Sequence, residues 1–187
     1  MRTTWIKGSL LATALCGAGL LFELSGPLAA QNSGDSNTTS TADTRFAREA
    51  AMGGMMEVEL GKIAVQKSSN DKVKQFGQRM TDDHSKAGDE LKGIAAKDNI
   101  TLPTELDARH RAMIDRYANM SGTAFDRAYM GDMVRDHQTD IADFQKEANS
   151  GTNADLKSWA TITLPTLREH LRIARETDNS LSVTSSR

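Results

Sequence analysis

Three of the four histidines in this chain, His84, His137 and His170, recur within stretches of helical periodicity, each on the stripe that also carries large apolar residues. "MTDDHSK" at 80–86 and "MVRDHQT" at 133–139 place a methionine four residues before a histidine, on the same face of a helix. An acidic residue, Glu57, falls on the corresponding stripe of an earlier segment. Three imidazoles and one carboxylate suit zinc, copper or iron, because imidazole nitrogen is a borderline donor for these ions. Asp140, three residues after His137, shares its face and is a further ligand candidate or an acceptor that would orient the ring. The metal set is therefore Glu57, His84, His137, His170 and Asp140, for one ion. Met52, Met55 and Met56, with Met80 and Met133, would add thioether sulfur for copper, although methionine at helical spacing is ordinary core filler. The competing reading is a satisfied polar layer in which the imidazoles bond to Glu57, Tyr129 or Thr163 and fix helix register. The neighbouring acids Asp83, Asp136 and Glu169 point about 100° away from their histidines on a helix and are not placed at the same ion. His110, between two arginines, reads as solvated.

The elements that must carry these residues follow from apolar spacing of three to four residues, with no run alternating at period two, so the chain reads as all-α. A first helix from about residue 43 or 44 to 67 buries Phe46, Ala50, Gly53, Glu57, Leu60 and Ala64. "SSND" turns the chain into a second, with Val73, Phe76, Met80, His84, Ala87, Leu91 and Ile94 inward, ending at Asn99 as a left-handed cap. "TLPTELDARH" suggests a short connecting helix with Pro103 in its first turn, ending near Asn119. A third long helix carries Phe125, Tyr129, Met133, His137, Ile141, Phe144 and Ala148, and a fourth, after "NSGTN", carries Leu156, Ala160, Thr163, Leu167, His170 and Ala174. Four such stripes build a four-helix bundle. Counted from the two turns at 1.5 Å per residue, Glu57 and His84 differ in depth by about 4 Å, and His137 and His170 by about 6 Å. Pro165 should bend the last helix one turn before His170. Gly53, Glu57 and Gly61 recur every four residues, which reads as close helix approach, or alternatively as space kept open beside a carboxylate.

Outside the bundle, Arg2 and Lys7 precede the fifteen-residue apolar run from Gly8 to Phe22, shorter than the roughly 20 residues a spanning helix needs. This is the pattern of a secretory signal at residues 1–30, with an uncleaved anchor as the alternative. Cys16 lies inside the run and does not fit a lipid-modified cysteine; it is the one cysteine of the chain, so the mature part has neither disulfide nor thiolate site. Removing residues 1–30 takes away Arg2, Lys7 and Glu23 and moves the formal net charge from -2 to -3. That balance argues against nucleic acid, which demands a concentrated basic surface. Residues 31–43 lack large apolar side chains and read as a flexible linker, residues 178–187 as a disordered tail, and residues 44–177 as the folded domain. No transmembrane helix is expected in the mature protein, and the expected state is a monomer or weak homo-oligomer in the periplasm or cell envelope.

The stretches "FAREAAMGGMMEVELGKIA", "VKQFGQRMTDDHSKAGDELKGIAA", "LPTELDARH", "FDRAYMGDMVRDHQ" and "LPTLREHLRIA" resemble the exported bacterial family called domain of unknown function 4142, over about residues 45–175. The resemblance implies a ferritin-like helical bundle behind a signal peptide, and no established activity. Ferritin-like di-metal sites use a Glu-x-x-His pair on each of two helices. Here Thr81 and Leu167 stand three before His84 and His170, so both glutamates are missing and a di-iron oxidase is not supported. No nucleophile elbow or phosphate loop is present in the sequence. The sequence reads as a non-catalytic binding or stress-related module, with a mononuclear metal-binding protein as the alternative and a metal-dependent oxidase as the second.

Overall fold

The computed structural model describes residues 39–184; the expected signal segment and most of the expected linker lie outside them. Among the described residues there are five α-helices and no strand: α1 Thr41–Lys67, α2 Asp71–Lys97, α3 Ala108–Ala118, α4 Gly122–Ser150 and α5 Ala154–Thr184. The all-α expectation holds. Short turns make two hairpins, α1 on α2 and α4 on α5, and the hairpins meet along α2 with α5 and α1 with α4, while the short α3 lies against α1.

Helix starts are set by side chains that satisfy otherwise orphaned backbone N–H groups. Ser40 caps α1 in a capping box: its hydroxyl accepts from Asp43 N at 3.1 Å and the Asp43 carboxylate accepts from Ser40 N at 2.8 Å. Residues 41–43, expected to belong to the linker, are therefore the first turn of α1. Asp43 also accepts from the backbone of Thr152 and Asn153 and from the Thr152 hydroxyl, which ties the start of α1 to the α4–α5 turn. Burial alone would raise its carboxyl, but these bonds hold it down at about 2. Asn99 takes a φ of 56°, as expected of the residue that turns the chain out of α2.

Two other expected boundaries move. Pro103 lies in the connection before α3, because Asp107, whose carboxylate accepts from His110 N at 2.9 Å, is the residue that nucleates that helix. The tail expected from residue 178 continues as helix to Thr184, since Thr177 and Leu181 extend the buried stripe of His170 and Ala174, and Leu181 is packed in the core. α5 also runs through Pro165 as one helix.

The core divides into two apolar clusters. One gathers Leu60, Phe76, Met80, Tyr129, Met133 and Ala174; the other gathers Phe46, Leu91, Phe144, Trp159 and Leu167. On α2, α4 and α5 the chain passes from one cluster to the other through a single buried ionisable residue, His84, His137 or His170, and on α1 buried Glu57 stands next to Met56, where the same change occurs. The four form a polar layer between the two apolar clusters.

Candidate metal centre

The imidazoles of His84, His137 and His170 meet at that layer, with ring centroids 5.2–5.8 Å apart. His137 and His170 are fully buried, Glu57 is 2% exposed and His84 8%. The depth mismatches inferred from the turns close because side chains on a helix tilt toward its N-terminus. Glu57 and His137 precede their turns and so reach deeper than their Cα atoms, whereas His84 and His170 follow theirs and reach back. Phe76 lays its ring at 6.4 Å from His137 and 6.3 Å from His170, closing the layer on one side.

Each imidazole has one nitrogen held by an acceptor. His84 Nδ1 lies 3.0 Å from Glu57 Oε2. His137 Nδ1 lies 3.1 Å from the Met133 carbonyl oxygen, which can only accept, so this nitrogen carries the proton. His170 Nε2 lies 2.8 Å from Asp83 Oδ2, and Arg79 bonds the same oxygen at 3.3 Å. The remaining nitrogens are His84 Nε2, which is buried without a partner, and the facing pair His137 Nε2 and His170 Nδ1, 3.2 Å apart. One nitrogen from each ring can be chosen so that all three lie within 4.8 Å of one another.

With Nδ1 protonated, His137 presents a lone pair at Nε2. His170, donating to Asp83 from Nε2, presents another lone pair at Nδ1. Two lone pairs at 3.2 Å repel unless a positive charge lies between them, either a proton on His170 or a metal ion. In a tetrahedral site with metal–nitrogen bonds of about 2.0–2.1 Å, neighbouring ligand atoms stand about 3.3 Å apart. The observed pair is already at that edge length.

The electrostatics keep the rings neutral. Burial, reinforced by His137 and His170, pushes His84 well below the ordinary histidine range. Burial and the nearby His170 bring His137 down to about 3. Burial lowers His170 while the bond to Asp83 works against it. Burial, with Asp140 and Asp136 nearby, pushes Glu57 well above the usual carboxylate range, and burial with Asp136 and Asp143 raises Asp140 to about 8. Neutral imidazoles with fixed tautomers are what metal ligation requires.

All five metal candidates from the sequence lie at this layer, divided into two groups, with Asp140 placed beside Glu57 and His137 rather than with the three histidines. The polar-layer partners expected from Tyr129 and Thr163 do not reach the rings: Tyr129 Oη is buried without a partner, and the Thr163 hydroxyl bonds the Trp159 carbonyl. His110 stands apart, bonded to Asp107. Met80 and Met133 belong to the apolar cluster below the layer. Asp83 was set aside in the sequence because it points away from His84. Its 100° step, close to the angle between neighbours around a square of helices, aims it at α5 and His170 instead.

A cavity of about 670 Å³ opens beside the layer and reaches Gly53, Gly54, Glu57, His84, Asp140 and His170. The two glycine readings separate here. A Cβ on Gly61 would stand 2.5 Å from the Gly77 carbonyl oxygen, so Gly61 serves close approach of α1 and α2, whereas a Cβ on Gly53 meets nothing within 4 Å.

Residues 28–177 match the family described as Domain of unknown function (DUF4142). The chain belongs to that family. Among solved structures it is similar to the crystal structure of a DUF305 fragment from Deinococcus radiodurans, with a TM-score of 0.65 at 11% identity, covering 77% of this chain and 97% of that one. At that identity the likeness carries the helical fold alone. No curated protein matches the chain. This DUF4142 chain has, among its described residues, no helix long and apolar enough to cross a membrane.

Proposed function

We propose that this DUF4142 protein is an exported binding protein for one transition-metal ion, held by His84 Nε2, His137 Nε2 and His170 Nδ1. The observation that carries this reading is the division of labour within each ring: one nitrogen is clamped by Glu57, by the Met133 carbonyl or by Asp83, the other is held by no acceptor, and one nitrogen of each ring lies within 4.8 Å of the other two. Ligating histidines characteristically donate their second nitrogen to a carboxylate or a backbone carbonyl, which fixes the tautomer and raises basicity. A merely register-fixing layer has no need to leave His84 Nε2 buried and unbonded, which is costly. Glu57 then acts as the orienting partner of His84 and not as the fourth ligand. Nitrogen-only ligation and the near-tetrahedral edge favour zinc or another ion that tolerates that geometry. Arg2 and Lys7 before an apolar run support export, and such ions are met outside the cytoplasm.

The test is metal content and titration of the untagged protein. One zinc or cobalt ion per chain is expected, with cobalt showing the intense visible bands of a tetrahedral centre. A His84→Ala, His137→Ala, His170→Ala variant should lose both, and His170→Gln, which preserves volume, guards against misfolding. Equal uptake by the native and variant proteins would remove the reading.

A further inference from the structure

We infer that Glu57 and Asp140 form a second cation position beside the three imidazoles, suited to a hard divalent ion such as Mn2+ or Mg2+. This goes beyond the imidazole centre and does not need it to be occupied.

Glu57 is a divided carboxylate. Its Oε2 is taken by His84 Nδ1 at 3.0 Å, but its Oε1 is buried without a hydrogen-bond partner. The nearest candidate, His137 Nδ1, is 3.6 Å away and gives its proton to the Met133 carbonyl. Asp140 stands one turn beyond His137 on α4, and its carboxylate, Glu57 and His137 offer ligand atoms all within 4.8 Å of one another. Because His137 Nδ1 is committed to Met133, the two carboxylates are the ligands and His137 is a wall of the site. Among the described residues neither Glu57 nor Asp140 is paired with a lysine or arginine. Two carboxylates this close, Glu57 buried and Asp140 half-buried, repel one another when both are charged, and a cation between them removes that cost.

Access and room are present. Glu57 and Asp140 both line the cavity, a Cβ on Gly53 would meet nothing within 4 Å, and exposed Asp143, three residues after Asp140, lines the same cavity. A hydrated divalent ion entering there meets carboxylates in succession. Oxygen ligands with no sulfur or free imidazole select magnesium- or manganese-like ions over copper, and such ions commonly bind through one or two carboxylates while keeping several waters. The two positions thus sort ions by hardness within one layer.

The experiment loads the full chain with one equivalent of Zn2+, then titrates Mn2+ while the signal of free Mn2+ is followed by electron paramagnetic resonance. One Mn2+ per chain is expected, with a rise in thermal midpoint. Asp140→Asn should abolish that uptake and the accompanying rise while zinc stoichiometry and helical circular dichroism stay as in the native protein. Asp140→Ser provides a second, smaller replacement should the first disturb folding. Absence of Mn2+ uptake by the native chain, or uptake unchanged in both Asp140 variants, overturns the inference. Mn2+ uptake that depends on Asp140 in a chain that takes no zinc would support this position and remove the three-imidazole reading, so the two fail separately.

Discussion

The Asp83 carboxylate bonds His170 in the layer, so its replacement separates orientation of a ligand from ligation itself. Asp83→Asn keeps an oxygen that can accept from His170 Nε2 but removes the negative charge that makes the other nitrogen more basic. Loss of such an outer partner typically lowers metal affinity by about 10- to 100-fold. We expect the zinc affinity of Asp83→Asn, measured by competition with a chromophoric chelator, to fall toward the lower end of that range with stoichiometry unchanged. An affinity equal to that of the native chain would make the Asp83 contact incidental. The histidines themselves were legible in the sequence because a polar residue interrupts each apolar stripe at similar depth. Asp83 was not, since its role depends on which helix stands beside α2, and that is a property of the packing rather than of the segment.

Glycine spacing on α1 shows the same division between what a segment states and what its neighbour decides. Gly53 and Gly61 both belong to the four-residue repeat of α1, but eight residues set them about 80° apart around the helix, and one faces the cavity while the other faces backbone. Gly61→Ala would drive a methyl group to 2.5 Å from the Gly77 carbonyl and 2.7 Å from Thr81 Oγ1. Overpacking of this kind costs about 1–3 kcal/mol. Gly53→Ala meets open space and should instead gain up to about 1 kcal/mol from helix propensity. Opposite shifts of the urea midpoint are therefore expected from two substitutions of identical chemistry, and shifts of the same sign would contradict the packing described. At the far end of the chain, a protein ending at Thr177 removes Leu181 from the core and should unfold at a lower temperature than the full chain. Leu181→Ala alone should cost about 2 kcal/mol, the low end for a buried leucine, because the helix end can relax. "DNSLSVTSSR" looked like a tail by composition, and one leucine in phase with Ala174 was enough to continue the helix.

Across the whole molecule, the start of α1, the end of α4 and the α4–α5 turn converge on two carboxylates, and that junction gives stability a pH dependence of its own. Burial, with Asp43 beside it, raises Glu147 from an ordinary 4.5 to about 7. Between those values the folded chain keeps a proton that the unfolded chain has lost, so this contribution is full below pH 4.5 and declines as pH rises toward 7. The buried histidines act with the opposite sign. His137, lowered from 6.5 to about 3, is neutral in the folded chain where the unfolded chain would be charged, so its contribution grows as pH rises through that interval. The two trends offset one another in the native protein, and the informative quantity is the difference between it and Glu147→Gln, which carries a permanently neutral amide. Thermal midpoints measured in chelator from pH 4.5 to 7.5 should show the native protein losing ground steadily against Glu147→Gln as pH rises. Parallel curves would place the titration elsewhere, because every other group is common to both chains and cancels in the difference.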